Sequence, residues 1–249
     1  AFLLNRSSDL SDIESISILI EDALKKNIHV LGPDINESDQ TFTVNKDGNI
    51  RFGLAALKGV GNSAANCIVE ERLAHGPYKD VFDFFDRIDL RSCNKRCIET
   101  LAKAGAFDGF DGIHRAQFFH TDKEGGQTFL DKLISYTTRS HSDASQFSIF
   151  DMDESSQSND HIDFPVCEPW SIYQQIKYEK EVAGFYISGH PLDEYKTIIQ
   201  NYATVNLQQV ADLAYMKLRY ATGKPFAFVA MVTEAVTRLT KNGNEFGVI

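Results

Sequence analysis

The sequence is poor in cysteine and holds no long apolar run. Its four cysteines, Cys67, Cys93, Cys97 and Cys167, form no Cys-x-x-Cys pair. Cys93 and Cys97 would share a helical face, but no His or third Cys stands near them in sequence, which argues against a zinc site. They read as reduced thiols, with Cys67 and Cys97 in the core. No apolar stretch approaches the roughly eighteen residues of a membrane span, and no signal-peptide pattern is present. The cytoplasm is the expected compartment, with no membrane partner. An excess of positive charge is also missing. The formal net charge is −10, which alone speaks against a nucleic-acid binder.

The charge is unevenly spread, however. From Arg51 to Arg115 there are ten Lys/Arg against nine Asp/Glu, whereas Arg139 to Glu168 has one against seven. The acidity sits in a polar tract, and the stretch from Arg51 is about neutral. With 249 residues the chain has room for one large domain or two modest ones. It opens in mid-pattern at Ala1-Phe2-Leu3-Leu4 and stops abruptly at Ile249, so a piece of a larger protein is expected.

What is present is a compact motif, RFGLAALKGVGNSAANCI, over Arg51 to Ile68. Leu54 and Leu57 predict a short helix, Gly59-Val60-Gly61 a tight hairpin, and Ala65 and Ile68 one face of a second helix. Two glycines around one aliphatic residue let the backbone bend where side chains would clash. The hairpin leaves N–H groups free at the second helix's start, and a helix N-terminus is a ready anion site. This is the pattern of a helix-hairpin-helix, which grips DNA phosphates through backbone amides without reading bases. Lys58, Gly59, Val60, Gly61 and Asn62 are its candidate contacts. A plain helix corner with a glycine cap has the same local letters. With neutral surroundings, any grip is expected to be weak and salt-sensitive.

Elsewhere, Ser11-Asp12-Ile13-Glu14 has the form of a capping box opening a helix to about Lys26. Ile28 to Leu31 predicts a short strand, stopped by Gly32-Pro33, and Asp34 to Ser38 an irregular polar loop. Phe42-Thr43-Val44 and Ile50-Arg51-Phe52 flank Asp47-Gly48, a hairpin signal. Val81 to Ile88 predicts a short helix with Phe82, Phe84 and Phe85 in the core. Asn94 to Lys103 predicts another, with Cys97, Ile98 and Leu101 inward. Ala104-Gly105-Ala106-Phe107-Asp108 then echoes the first hairpin. Two such units would offer two phosphate contacts, with Arg51, Lys58, Arg91, Lys95, Arg96 and Lys103 as positive flanks and Gly105 as the second turn. Residues 168–187 predict one helix, with Trp170, Tyr173 and Ile176 as its first apolar positions. His190-Pro191 turns the chain. Phe226 to Val232 predicts a strand, with a return strand from about Phe246.

Three of these stretches together resemble the bacterial DNA polymerase III alpha-subunit family: Ile28 to Ser38, Ile50 to Gly61, and Leu101 to Asp108. The likeness resumes at Tyr178 to Tyr195, YEKEVAGFYISGHPLDEY, similar to the family's approach to its OB domain. The clear resemblance covers residues 1–115 and 168–200.

Between these blocks, Ser135 to about Asp163 is rich in Ser, Asp, Asn and Gln and is expected not to order itself. One island interrupts it: Gln146, Phe147, Ser148, Ile149 and Phe150. It resembles the peptide by which clamp-binding proteins dock on a sliding clamp, with Gln146 hydrogen-bonding and Ile149 and Phe150 as apolar anchors. Its place after the hairpins matches where the family carries that peptide.

The resemblance implies a mainly α fold: a tandem helix-hairpin-helix domain with a small β-hairpin, a polar linker, and the first strands of an OB-type barrel. The implied divisions are 1–49, end of the fingers; 50–115, tandem hairpins; 116–167, linker; 168–205, connecting helix; 206–249, start of the OB domain. The implied partners are double-stranded DNA, the sliding clamp (beta subunit) and other replicase subunits. The family polymerises DNA with palm carboxylates holding two metal ions, so magnesium is expected in the palm. No stretch here resembles the palm's aspartate motif. Asp34, Asp108 and Asp193 are not candidates, and no catalytic residue, metal ligand or cofactor is expected in this chain. Two other readings remain. One is a helix-hairpin-helix DNA glycosylase with Asp80, after Gly76-Pro77, as its acid/base, although Ser63 stands near where a bifunctional enzyme would place lysine. The other is a purely structural connector.

Overall fold

The computed structural model describes residues 26–121, 123, 125–145 and 162–205, together with 19–20, 22–23, 209, 212, 216–217, 223, 226–232, 235–241, 243 and 245–248; of 140–145 it gives the backbone path alone. The start of the expected first helix lies outside these residues, as does the whole island Gln146, Phe147, Ser148, Ile149 and Phe150. The chain divides into two compact units, Ala1–Ser188 and Gly189–Ile249.

In the first unit, β2 (Thr43–Val44) and β3 (Ile50–Arg51) form the expected antiparallel hairpin. Asn45 closes it, its Oδ1 accepting from the N–H groups of Asp47 and Asn49, while Gly48 supplies the left-handed φ of +81°. β1 (Val30–Leu31) adds to β3 in parallel, giving the order β1-β3-β2. The polar loop after β1 is ordered by its own side chains. Asp34 Oδ1 accepts from the N–H groups of Asn36 and Glu37, and Asn36 exchanges two 2.8 Å hydrogen bonds with the Tyr78 backbone.

Helices follow. A 3-10 turn, Leu54–Ala56, leads to α1 (Asn62–His75), then α2 (Val81–Arg87) and α3 (Lys95–Ala104). α4 (Arg115–Phe118) is short, α5 spans Phe129–Ser145, and α6 spans Ile172–Ala183. Asp80 caps α2 and Asn94 caps α3, each carboxyl or amide oxygen accepting a backbone N–H three residues on. The core joins Phe52, Leu54, Leu57, Ala65 and Ile68 to Ile98 and Leu101. A run of aromatic rings extends it, Phe84 to Phe107 to Phe118 at 5.1 Å centroid spacings. Phe84 and Phe85 are buried as expected, while Phe82 is half-buried against Phe164. Cys97 is buried and Cys67 only half-buried; Cys93, not expected inside, is fully buried with its thiol against the Ala64 carbonyl.

Three expectations are corrected. The tract from Ser135 does not begin disordered: α5 carries the helix to Ser145 because Phe129, Leu130 and Leu133 bury its first turns. The helix expected over 168–187 is shorter at both ends. Ser171 and Gln174 form a capping box that starts α6 at Ile172, and Gly184, at φ +89°, stops it. Trp170 therefore lies outside the helix and packs on Phe119 and Tyr178, while Tyr173 is 61% exposed. In the second unit, residues 226–232 form no strand; the Ala227 carbonyl accepts from Thr204 N–H and its N–H donates to Thr204 Oγ1. The strands are β4 (Val236–Leu239) and β5 (Glu245–Val248), paired antiparallel from Val236↔Val248 to Leu239↔Glu245. This unit also holds α7 (Lys196–Tyr202) and the turn at His190, whose Nδ1 accepts from Leu192 N–H.

A buried ion pair joins the distant parts of the first unit. Arg115 donates to Glu179 at 2.7 Å and to both oxygens of Asp108 at 2.6–3.0 Å. Glu179 is 0% exposed and also accepts from Ser188 Oγ at 2.6 Å and from the Ile187 and Ser188 N–H groups. Removing one partner of a buried pair strands the other charge. Glu179→Ala is expected to cost about 3–5 kcal/mol of stability, read as a lower urea midpoint. A loss of about 0.5 kcal/mol, typical of a surface site, would show that the pair does not hold the unit together.

Candidate nucleic-acid interface

The hairpin is built from both ends. Leu54 and Leu57 are buried, which anchors the 3-10 turn. Val60 is 4% exposed, and its N–H donates to Leu57 O, so it serves as an internal plug. Lys58, Gly59, Gly61, Asn62 and Ser63 face outward. The two glycines do different work, which their sequence pattern does not reveal. Gly59 sits at φ +91°, a conformation that strains any residue with a Cβ. Gly61 has an ordinary extended backbone (φ −77°, ψ 162°), and no atom lies within 4 Å of where its Cβ would stand. Its lack of a side chain leaves the first turn of α1 open from outside. That turn has no side-chain cap, so the Asn62, Ser63 and Ala64 N–H groups keep the orphan donors and positive dipole end of a helix start.

Two helices hold the hairpin from behind. Lys58 N–H donates to Val182 O of α6 at 2.8 Å, and Thr100 Oγ1 of α3 donates to Lys58 O at 3.2 Å. Arg96, one turn before Thr100, brings its guanidinium beside the turn: a Cβ at Gly59 would stand 3.7 Å from Arg96 Nε.

The six candidate cations separate into two groups. Arg51 pairs with Glu37 and donates to Gly32 O; Lys103 pairs with Glu181 at 2.8 Å. Lys95 pairs with Asp131 at 2.6 Å; that bond holds the ammonium above its ordinary pKa and the carboxyl below its own. The side chains of Lys58, Arg91 and Arg96 have no ion pair or hydrogen bond among the described residues. Two of these three, Lys58 and Arg96, lie at the hairpin. A groove of about 740 Å³ runs along α1 from Ser63, and its charged lining is Glu70, Glu71 and Asp89 with one cation, Arg87, which pairs with Glu71 at 3.1 Å. The hairpin end of α1 is thus its anion-compatible end.

Gly105 is placed differently from Gly59. It is buried in a left-handed C-cap at φ +85°, and its N–H donates to the Ala102 and Leu101 carbonyls. A Cβ there would stand 2.2 Å from the Arg115 guanidinium. Ala104 to Asp108 therefore presents no free amide turn at Gly105, and α4 starts only at Arg115. Asp80, the acid/base of the glycosylase reading, is the N-cap of α2, with Oδ1 accepting from Asp83 N–H at 2.8 Å. Thr100 and Val182 were not found from the sequence. A buried threonine four residues after Arg96 is a faint signal, and a main-chain acceptor on a distant helix gives none.

A helix-hairpin-helix motif model matches residues 27–118. The chain is 35% identical over 208 residues to the DNA polymerase III subunit alpha of Treponema pallidum, covering 83% of this chain and 17% of that protein. It is 31% identical over 252 residues to the subunit of the same name from Caulobacter vibrioides, covering 100% of this chain and 20% of that one. The one from Escherichia coli O6:H1 is 29% identical over 244 residues, covering 97% and 20%. The chain spans about a fifth or less of the length of these relatives.

The contrast between the glycines is testable by thermal unfolding. Gly59→Ala is expected to lose about 1–2 kcal/mol from left-handed strain, and Gly61→Ala to stay within about 0.5 kcal/mol of the parent. Equal losses would contradict the distinct backbone roles.

Proposed function

The chain belongs to the DNA polymerase III alpha-subunit family, and on that premise we propose that it holds duplex DNA by its phosphates and tethers the polymerase to the sliding clamp. The observation that carries the DNA reading is the open, uncapped start of α1 behind Gly61, with Lys58 and Arg96 beside it and unpaired among the described residues. Backbone amides fix a phosphate without reading a base, so the binding is sequence-independent. The contact set is Lys58, Gly59, Gly61, Asn62 and Arg96, with the Val60 backbone between them. Lys95 contributes when it leaves Asp131, and Gly105 stays inside the fold.

The whole subunit is proposed to be a DNA-directed DNA polymerase of the bacterial cytoplasm, with magnesium held by palm carboxylates in another part of it. This chain is proposed to have no polymerase activity of its own. Residues 1–49 close the fingers, 50–115 carry the hairpin domain, and 116–167 lead through the clamp peptide. Residues 168–205 connect to the OB domain that opens over 206–249. Gln146, Phe147, Ser148, Ile149 and Phe150 dock on the clamp, with Ile149 and Phe150 as anchors. Two weak contacts joined by one chain give an avidity that neither has alone, which is how such a segment would keep a polymerase on its product. Among the described residues no helix is long and apolar enough to cross a membrane.

Fluorescence anisotropy with a 20-base-pair duplex (roughly two turns, both strands charged throughout) tests the first half. Lys58→Ala/Arg96→Ala is expected to flatten the slope of log K against log salt by about 0.9 for each phosphate that the variant leaves unneutralised. It should do so equally on duplexes of unrelated sequence. An unchanged slope would place the phosphate-binding groups elsewhere. Calorimetric titration with the cognate clamp tests the second half. Ile149→Ala/Phe150→Ala is expected to lose about 2 kcal/mol or more, and unchanged binding would move the clamp site off the island.

A further inference from the structure

The geometry points to Thr100 as the positioning residue of the phosphate-gripping hairpin. This rests on the reading that the hairpin binds phosphates, and it identifies what aims its amides. A helical threonine commonly turns its hydroxyl back to a carbonyl of its own helix. Thr100 is 6% exposed, and its hydroxyl instead crosses to Lys58 O at 3.2 Å. From the other side Val182 O of α6 takes the Lys58 N–H at 2.8 Å. Both main-chain groups of one residue are thus held by two different helices.

That residue is the one before the turn. The Lys58 carbonyl belongs to the peptide plane shared with Gly59, whose φ of +91° reverses the chain. With Val60 plugged into the core, the tilt of that plane sets the direction of the amides that follow. An anion held by backbone N–H groups depends on their convergence, and fixing them beforehand lowers the ordering cost of binding. α3 supplies the other half from the same strip: Arg96 lies four residues before Thr100, beside Gly59. One helix therefore delivers both the strut and a cation that has no ion pair among the described residues. Thr100 is itself buried, so its part is to position the hairpin.

The test is duplex binding by this chain carrying Thr100→Val, which keeps the shape and removes the donor, beside Thr100→Ser, which keeps the donor. Thr100→Val is expected to weaken duplex binding about threefold to tenfold, the scale of one net hydrogen bond, with a shallower salt slope. Thr100→Ser is expected to remain near the parent in both. Amide hydrogen exchange without DNA gives a second readout: the hydrogen-bonded Lys58, Val60 and Ala65 amides should exchange faster in Thr100→Val, with α5 unchanged. If Thr100→Val does not fold, Thr100→Ala replaces it.

Parent-like affinity, slope and exchange in the folded donor-less variant would overturn the assignment. So would Thr100→Ser binding as weakly as Thr100→Val, since packing rather than the hydroxyl would then matter. If the unsubstituted chain binds no duplex, the phosphate reading itself fails, and the exchange data alone decide whether Thr100 holds the hairpin.

Discussion

The first unit depends on one buried charge pair. Arg115 and Glu179 are 64 residues apart in sequence and meet at 2.7 Å with Glu179 wholly removed from water. Burying a carboxylate is costly unless its lone pairs are filled. Here the fold fills them, since Glu179 also takes Ser188 Oγ and two backbone N–H groups. Arg115 in turn holds Asp108 in the turn after α3 and presses against Gly105, where no side chain would fit. Four stretches are thereby fixed: the end of α3, α4, α6 and the segment through Ser188.

The hairpin inherits its placement from that pair. Val182, which accepts from Lys58 N–H, lies three residues after Glu179 on the same helix. α3, whose C-terminal turn Arg115 stabilises, carries Thr100 and Arg96 against the hairpin's other side. An exposed anion-compatible turn thus stands on two helices locked together by an ion pair inside the core. Rigid support behind an exposed turn is what lets main-chain amides act as a recognition surface.

The charge distribution fits such a surface better than the net charge suggests. A chain at −10 is a poor candidate for long-range attraction to DNA, and three of the six candidate cations are spent on carboxylates of this chain. Structural pairing explains why counting lysines and arginines misjudges a patch: a cation held by Asp131 or Glu181 contributes little to the outside field. Of the three that remain, Lys58 and Arg96 lie beside the helix start, a small and local pair of charges. A module of that kind suits short-range holding.

The local chemistry of the chain was legible from the sequence. Asp47-Gly48 marked the β2–β3 hairpin, Gly59-Val60-Gly61 the break between two helical pieces, and the spacing of Cys97, Ile98 and Leu101 the inner face of α3. Those signals lie within a few residues of the structure they set, and for that reason local pattern finds them. The likeness over Tyr178 to Tyr195 also marked the stretch that contains Glu179 and Val182, though not what they touch. Only the tertiary structure decided that Gly59 needs its φ while Gly61 has an ordinary backbone with room for a side chain, since both read as the same letter in the same turn. It also decided that Gly105, an apparent echo of the first hairpin, turns inward beneath Arg115, and that Ala227 pairs with Thr204 rather than in a strand. It placed Thr100 under Lys58. In each case the deciding partner lies tens of residues away or on another element, so no local period or propensity carries it. The chain specifies such contacts only once its helices have packed.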